Sequence, residues 1–217
     1  MEIIDHNNQR YRSRWDRINA NRFNGAFYYS KEIVKNIIPR VKTTRNWITV
    51  NTYGKPACSH SIVFIHNNLH PEHYSWLSRY KDVVLVCGVP ETCKKVAHLG
   101  KTIYLPLSVD VRTVRRYMRD KDKEAAFAGR TTKLNGLTLP EDCEIIGDLP
   151  RTKLLPEMAR YKKIYAVGRT AIEAKILGCE IGVYDPRFPD PDIWEVLDNR
   201  EAAEILQREL NKIDRRS

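Results

Sequence analysis

The stretch KKIYAVGRTAIEAKILGCEIGVYD, residues 162–185, reads as strand, turn, helix and strand. An apolar run ends at Val167, Gly168 permits a sharp turn, and a helix begins near Thr170 and closes at Leu177. Gly178 stands just beyond it as a stop, and a second apolar run follows from Glu180. A strand, a crossover helix and a second strand form the unit of an open parallel sheet with right-handed connections.

The same alternation extends upstream. Strand candidates are Trp47–Asn51, Ile62–Ile65, Val83–Cys87, Thr102–Leu105, Ala125–Gly129, Cys143–Gly147, Lys163–Val167 and Glu180–Tyr184. Most are continuous apolar runs, as strands covered on both faces require. Between them, Phe27–Ile38, Pro71–Tyr80, Glu91–His98, Val111–Arg119, Thr152–Tyr161 and Thr170–Leu177 carry helical spacing. The polar, basic stretch 112–123 separates four strand candidates from four more. The pattern therefore predicts an α/β protein of two small Rossmann-like halves, each a doubly wound parallel sheet, facing a central cleft. The expected divisions are an N-terminal half over 1–110, a basic linker helix over 111–123, a C-terminal half over 124–190 and terminal helices over 191–217.

The chain has 217 residues, of which 42% are hydrophobic and 29% charged, the balance of an ordinary globular protein rather than a disordered one. No window reaches the roughly 18 apolar residues of a membrane span, and the first residues, MEIIDHNNQRYRSRW, lack the apolar centre of a secretion signal. Five scattered cysteines, Cys58, Cys87, Cys93, Cys143 and Cys179, form no C-x-x-C pair, which fits reduced thiols. A cytoplasmic protein is expected.

The formal net charge is +10, and it is concentrated. Residues 1–50 carry ten Lys/Arg against four Asp/Glu, and residues 94–123 carry nine against three. Such asymmetry suits a polyanion or a phosphate-bearing ligand, or equally a merely basic surface. Arg10, Arg12, Arg14, Arg17 and Arg22, interleaved with Tyr11 and Trp15, could track a nucleic-acid backbone or form a solvated helix face. The stretch 112–123 carries the same two readings.

In open α/β sheets the ligand crevice lies beyond the carboxyl ends of the strands. There the turn at Gly168 delivers a helix start whose free amides and dipole attract an anion, with Arg169 adding a formal charge. Glu173, one turn along, could accept hydrogen bonds from a ribose. The competing reading is that Thr170 caps the helix and Glu173 is the acid favoured in a first turn. His66, His70 and His73 have the spacing H-x3-H-x2-H, but Pro71 interrupts any helix that would align them, so a solvated or acceptor-facing loop is favoured over a metal site.

Residues 168–174, GRTAIEA, closed by Gly178 and a following strand, resemble the donor-nucleotide signature of GT-B glycosyltransferases. Phe127-Ala-Gly129-Arg130, followed by Lys133 and Gly136, is similar to that superfamily's Gly-Arg turn and nearby lysine. Gly147 and the helix after it resemble the segment preceding the donor motif. In the first half, Asn24-Gly25 leading into a helix is similar to the family's N-terminal glycine turn, and Ile62–His66 looks like its strand ending in a histidine-bearing loop. The resemblance runs in order over roughly 22–210.

It implies a transferase that moves a sugar from a nucleoside-diphosphate sugar, with UDP the expected nucleotide, to an acceptor, for which DNA is one candidate given the charge. Gly129, Arg130, Gly147, Gly168, Arg169, Thr170 and Glu173 would bind the nucleotide. Arg130 and Lys133 would neutralise the leaving diphosphate, His66 would serve as base, and Gly25, His66 and His70 would face the acceptor. Fixed cations can stand in for a divalent ion, so neither metal nor further cofactor is expected. One position departs from the pattern: retaining members often carry a second glutamate eight residues before the helix glutamate, where this chain has Tyr165, so the stereochemical outcome stays open. The same residues fit a second function, a non-catalytic nucleotide- or nucleic-acid-binding protein on the same fold.

Overall fold

In the computed structural model, the structure describes residues 2–5, 25–50, 59–65, 77–134, 138–183 and 190–215. The chain divides into two compact units, one holding the N-terminal strand, residues 26–107 and the chain from Asn199 onward, the other holding residues 108–198 together with Gly25.

The first unit is a five-stranded sheet of β1 (Glu2–Asp5), β2 (Trp47–Val50), β3 (Ser61–Ile65), β4 (Val83–Cys87) and β5 (Lys101–Tyr104), all parallel and in chain order. Every residue of β3 and β4 is buried, which explains their unbroken apolar sequences. The edge strand β5 has one buried residue, Ile103. Strand β1 was not foreseen: its four residues, Glu-Ile-Ile-Asp, are too short to show a period.

Because each strand joins the same edge, this sheet never reverses direction. The doubly wound order expected of both halves occurs in the second unit only.

The helix expected over Phe27–Ile38 is realised as α1 (Gly25–Glu32), followed by a π-helical turn, Ile33–Ile37, and a 3-10 turn, Ile38–Arg40. Ile38 N–H donates to Ile33 O, the widened loop of a π turn, and Pro39 prevents the helix from continuing. Helix α2 (Pro90–Val96) begins on a proline, whose missing N–H costs nothing at a helix start. Of the expected helix Pro71–Tyr80, the described part is a 3-10 turn at 77–79.

The second unit is a four-stranded parallel sheet of β6 (Lys123–Phe127), β7 (Cys143–Ile145), β8 (Tyr161–Tyr165) and β9 (Glu180–Gly182), ordered β7-β6-β8-β9. Helix α3 (Val111–Arg115) opens it, capped by Asp110, which accepts from Thr113 N–H at 2.9 Å. The helix stops four residues short of the expected Arg119. Arg112, Arg115, Arg116 and Arg119 fall three and four residues apart, so continuation would stack like charges on one face. Helix α4 (Arg151–Met158) ends earlier than expected, and β8 starts two residues sooner, at the buried Tyr161. That phenol explains the shift: its hydroxyl donates to Glu144 at 2.9 Å and accepts from Lys123 Nζ, also at 2.9 Å.

The last described helix, α6 (Asn199–Asp214), returns to the first unit. Ala202, Leu206 and Leu210, four residues apart, form its buried stripe together with Ala203. Its far end is fixed by the fully buried guanidinium of Arg45, whose Nη2 lies 3.2 Å from Asp82 Oδ1 and 3.1 Å from Asp214 Oδ1. Its near end is fixed by Asn199, which donates to Glu32 at 2.7 Å. Among the described residues, no helix is long and apolar enough to cross a membrane.

Candidate functional site

The order β7-β6-β8-β9 contains one reversal. From β6 the chain moves to β7 on one side, then crosses back to β8 on the other, so the turns leaving β6 and β8 lead in opposite directions. Those two turns are Gly129-Arg130 and Gly168-Arg169. Ala128 N–H donates to Tyr165 O at 3.0 Å, holding the two strand ends side by side. The candidate site therefore lies at the reversal of strand order, where open parallel sheets as a class bind their ligands.

Gly168 has φ 63° and ψ −137°, a conformation essentially restricted to glycine. It turns the chain from β8 into α5 (Arg169–Ile176), a helix in which every residue but Lys175 is buried. Burial of a first turn normally requires its amides to find partners. No side chain caps this start. Thr170, considered as a cap, instead lies inside the helix and is buried, while Gly168 occupies the capping position.

Glu173 is 3% exposed. Its Oε1 accepts from Arg169 Nε at 2.9 Å, one turn back on the same helix, and from Arg151 Nε, also at 2.9 Å. Arg151 is the first residue of α4, whose N-terminus follows the turn from β7. Arg169 is itself 6% exposed. Two guanidinium groups thus meet on Glu173 Oε1 at a helix N-terminus, whose dipole has the same sign as their charge. Asp110 lies within the reach of this field. Burial would raise its carboxyl, but the Thr113 hydrogen bonds and then the charges of Arg151 and Arg116 outweigh that and hold it below the ordinary aspartate value.

The adjoining turns fit backbone to backbone. A Cβ on Gly147 would sit 2.3 Å from Gly129 O, and one on Gly129 would meet the Phe127 ring at 2.7 Å, so neither position admits a side chain. Asp148, at φ 60°, donates its N–H to Gly129 O at 3.2 Å, and its carboxylate accepts from Thr131 N–H and hydroxyl. The Gly-Arg turn is thus locked from below by β7, and Arg130 is exposed on it.

The structure brings the predicted residues together in two groups: Gly168, Arg169, Thr170 and Glu173 at the start of α5, and Gly129, Arg130 and Gly147 at the turns of β6 and β7. Lys133 lies in the short 3-10 turn Thr131–Leu134, directly after the Gly-Arg turn. Gly25 is the first residue of α1, in sequence far from both groups. His66, His70 and His73, like the arginine-rich run from Arg10 to Arg22, fall outside the described residues. Tyr165, at the position of the second glutamate, packs its ring where a Cβ on Gly182 would come within 2.4 Å, filling the space beside β9.

Arg151 is the member of this side-chain cluster that pattern reasoning missed. A lone cation after Pro150 belongs to no motif, and the usable signal was its position in the first turn of the helix that follows a strand end.

No family model matches the chain, and no curated protein matches it. Among solved structures it is similar to that of AviGT4, a glycosyltransferase involved in avilamycin A biosynthesis, at 11% sequence identity and a TM-score of 0.41, over 88% of this chain and 84% of that one. So distant a likeness decides neither family nor activity.

Proposed function

We propose that the protein is a glycosyltransferase acting on a nucleoside-diphosphate sugar. The observation that carries this reading is the reversal of strand order between β6 and β8, with a glycine-only turn, a buried helix start and the guanidinium groups of Arg151 and Arg169 gathered on Glu173 beside it. The donor diphosphate lies against the first-turn amides of α5, and Arg130 and Lys133 neutralise the charge that grows on the leaving phosphate. The bond from the sugar to that phosphate oxygen breaks with its electron pair, the acceptor oxygen bonds to the sugar, and His66 takes the acceptor's proton. UDP is the expected leaving group and a polyanion such as DNA a candidate acceptor. Glu173 contributes by orienting Arg151 and Arg169; a ribose contact falls to its other oxygen.

A second reading is favoured by the engagement of Glu173 Oε1 with protein cations and by Tyr165 at the position of a second carboxylate. It keeps nucleotide binding and omits turnover.

Thermal unfolding with UDP, GDP and ADP tests both. A nucleotide at a hundredfold its Kd stabilises by about 2.7 kcal/mol, roughly 5–10 °C for a chain of this size. Arg130→Ala, on an exposed turn, removes most of that gain without unfolding the protein. No shift with any nucleotide ends both readings. A shift without transfer across a panel of donors and acceptors leaves the second.

A further inference from the structure

Helix α6 turns its other face to an open groove of about 730 Å³ in the first unit. Arg200, Arg208 and Lys212 from the helix and Arg215 just beyond its end line it, with Arg40 from the 3-10 turn, against a single carboxylate among the described lining residues, Glu204. The helical cations span residues 200–212, about 18 Å of helix axis at the usual rise.

The groove is a built feature. Gln207 clamps its two walls: its Oε1 accepts from Lys42 N–H at 2.6 Å, and its Nε2 donates to Lys42 O and to Asn211 Oδ1, both at 2.9 Å. Buried Ala203 contributes to the lining between the rows of charge.

The cations are available for exchange. Arg200 pairs with Glu204 at 3.4 Å, and Arg208 and Lys212 with Glu209 at 3.3 and 2.7 Å, all on the same helix, with the three cationic side chains 80%, 64% and 55% exposed. Exposed pairs of this kind contribute little and yield to a stronger anion.

We infer that this groove docks the phosphate backbone of duplex nucleic acid, independently of the candidate site in the second unit. The charge identifies a polyanion, and the lining identifies which. Among the described residues, its lining holds no aromatic ring on which the bases of a single strand could stack, and apart from Ala203 nothing apolar to enter a lipid surface. A duplex keeps its bases stacked internally and presents a ridge of phosphates that needs only cations and hydrogen-bond donors. Such contacts orient the molecule without reading sequence.

Fluorescence anisotropy of the full chain with a labelled 20-base-pair DNA duplex, at 50–200 mM salt, tests the inference. Binding is expected with a steep salt dependence. Arg208→Gln/Lys212→Gln/Arg215→Gln should weaken it at least tenfold at 100 mM salt and reduce the slope of log K against log salt by about two to three. Arg112→Gln/Arg116→Gln in the second unit should change the affinity less than twofold. All three changed residues of the groove variant are exposed, and an unaltered thermal transition verifies its fold; Arg40→Gln, off the helix, gives a second variant with a smaller loss in the same direction. The inference fails if the duplex does not bind, if the groove variant binds like the parent, if the second-unit variant carries the loss, or if a single strand of equal length or phosphatidylglycerol vesicles bind more tightly than the duplex.

Discussion

Glu173 sets two guanidinium groups against one carboxylate, and its replacement separates the roles considered for it. Glu173→Gln keeps the shape and removes the charge, so Arg151 and Arg169 lose their shared anion inside the protein; a loss of about 3 kcal/mol is expected, since breaking a buried pair leaves charge uncompensated. Pyrophosphate supplies the missing negative charge, so its stabilising shift should grow in this variant, whereas a shift produced by uridine should vanish if the glutamate holds the ribose. Differential scanning fluorimetry reads both. Gly168→Ala introduces a side chain at φ 63° and ψ −137°, costing about 1–3 kcal/mol and displacing the amides of α5. Its nucleotide response should disappear while the Arg40–α6 groove is untouched. The cysteines provide an independent check. Hydrogen bonding with Cys93 and burial both push the Cys87 thiol up, and the same bond holds Cys93 down. Iodoacetamide should therefore label Cys93 ahead of Cys87, Cys143 and Cys179, as measured by peptide mass spectrometry; burial raises the last two. Gly168, Arg169 and Glu173 were legible in the sequence because a small-residue turn between an apolar run and a helix has few alternatives. The internal use of Glu173 was not, because its partner Arg151 stands 22 residues away with no spacing that marks it.

At the scale of elements, α6 and the start of β4 depend on one buried side chain. Arg45 Nη1 also donates to Asp82 O at 2.7 Å, and His60 Nδ1 lies 2.6 Å from Asp82 Oδ2. Burial would raise the Asp82 carboxyl, but hydrogen bonds with His60 and Arg45, then the Arg45 charge, outweigh it and hold it below the ordinary aspartate value. A carboxyl lowered on folding stabilises the protein at pH values above its unfolded value, near 3.8, and that contribution is lost as pH falls through the lower folded value. Acid unfolding monitored by circular dichroism should therefore begin at higher pH in wild type than extrapolation from Asp82→Asn predicts, the variant being less stable at neutral pH and less pH-dependent below 4. Arg45→Ala should lose about 3 kcal/mol, roughly 6–12 °C in Tm. Strands β2–β4 were visible because buried parallel strands are written as short apolar runs, and the less buried β5–β9 because each adjoins an apolar stretch that alternates with helical spacing. Strand β1, the π turn at 33–37 and the early end of α3 were not, because each depends on what a neighbouring element or a like charge does to a chain whose local pattern reads otherwise.

Across the whole molecule, the first unit is assembled from discontinuous sequence while residues 108–198 make up most of the second. A chain ending at Asp198 exposes the surface that Leu206 and Leu210 cover and leaves Arg45 without Asp214. Hydrogen exchange should then show lost protection in β2–β5 and α1, with β6, β8 and α5 retaining theirs; uniform loss would show that the two units do not stand apart energetically. Sequence order alone suggested two successive halves with terminal helices appended, since nothing in the amphipathic pattern of residues 199–214 states which sheet it covers.

The return of α6 has a consequence for biosynthesis. All the segments of residues 108–198 are synthesised before α6, whereas the five-stranded sheet waits for its last covering helix. At about 5–20 residues per second, the interval from Leu107 to Asp214 is on the order of ten seconds. The later-encoded unit can thus mature first, and the nascent strands ahead of it are the portion of the chain that chaperones would most need to shield.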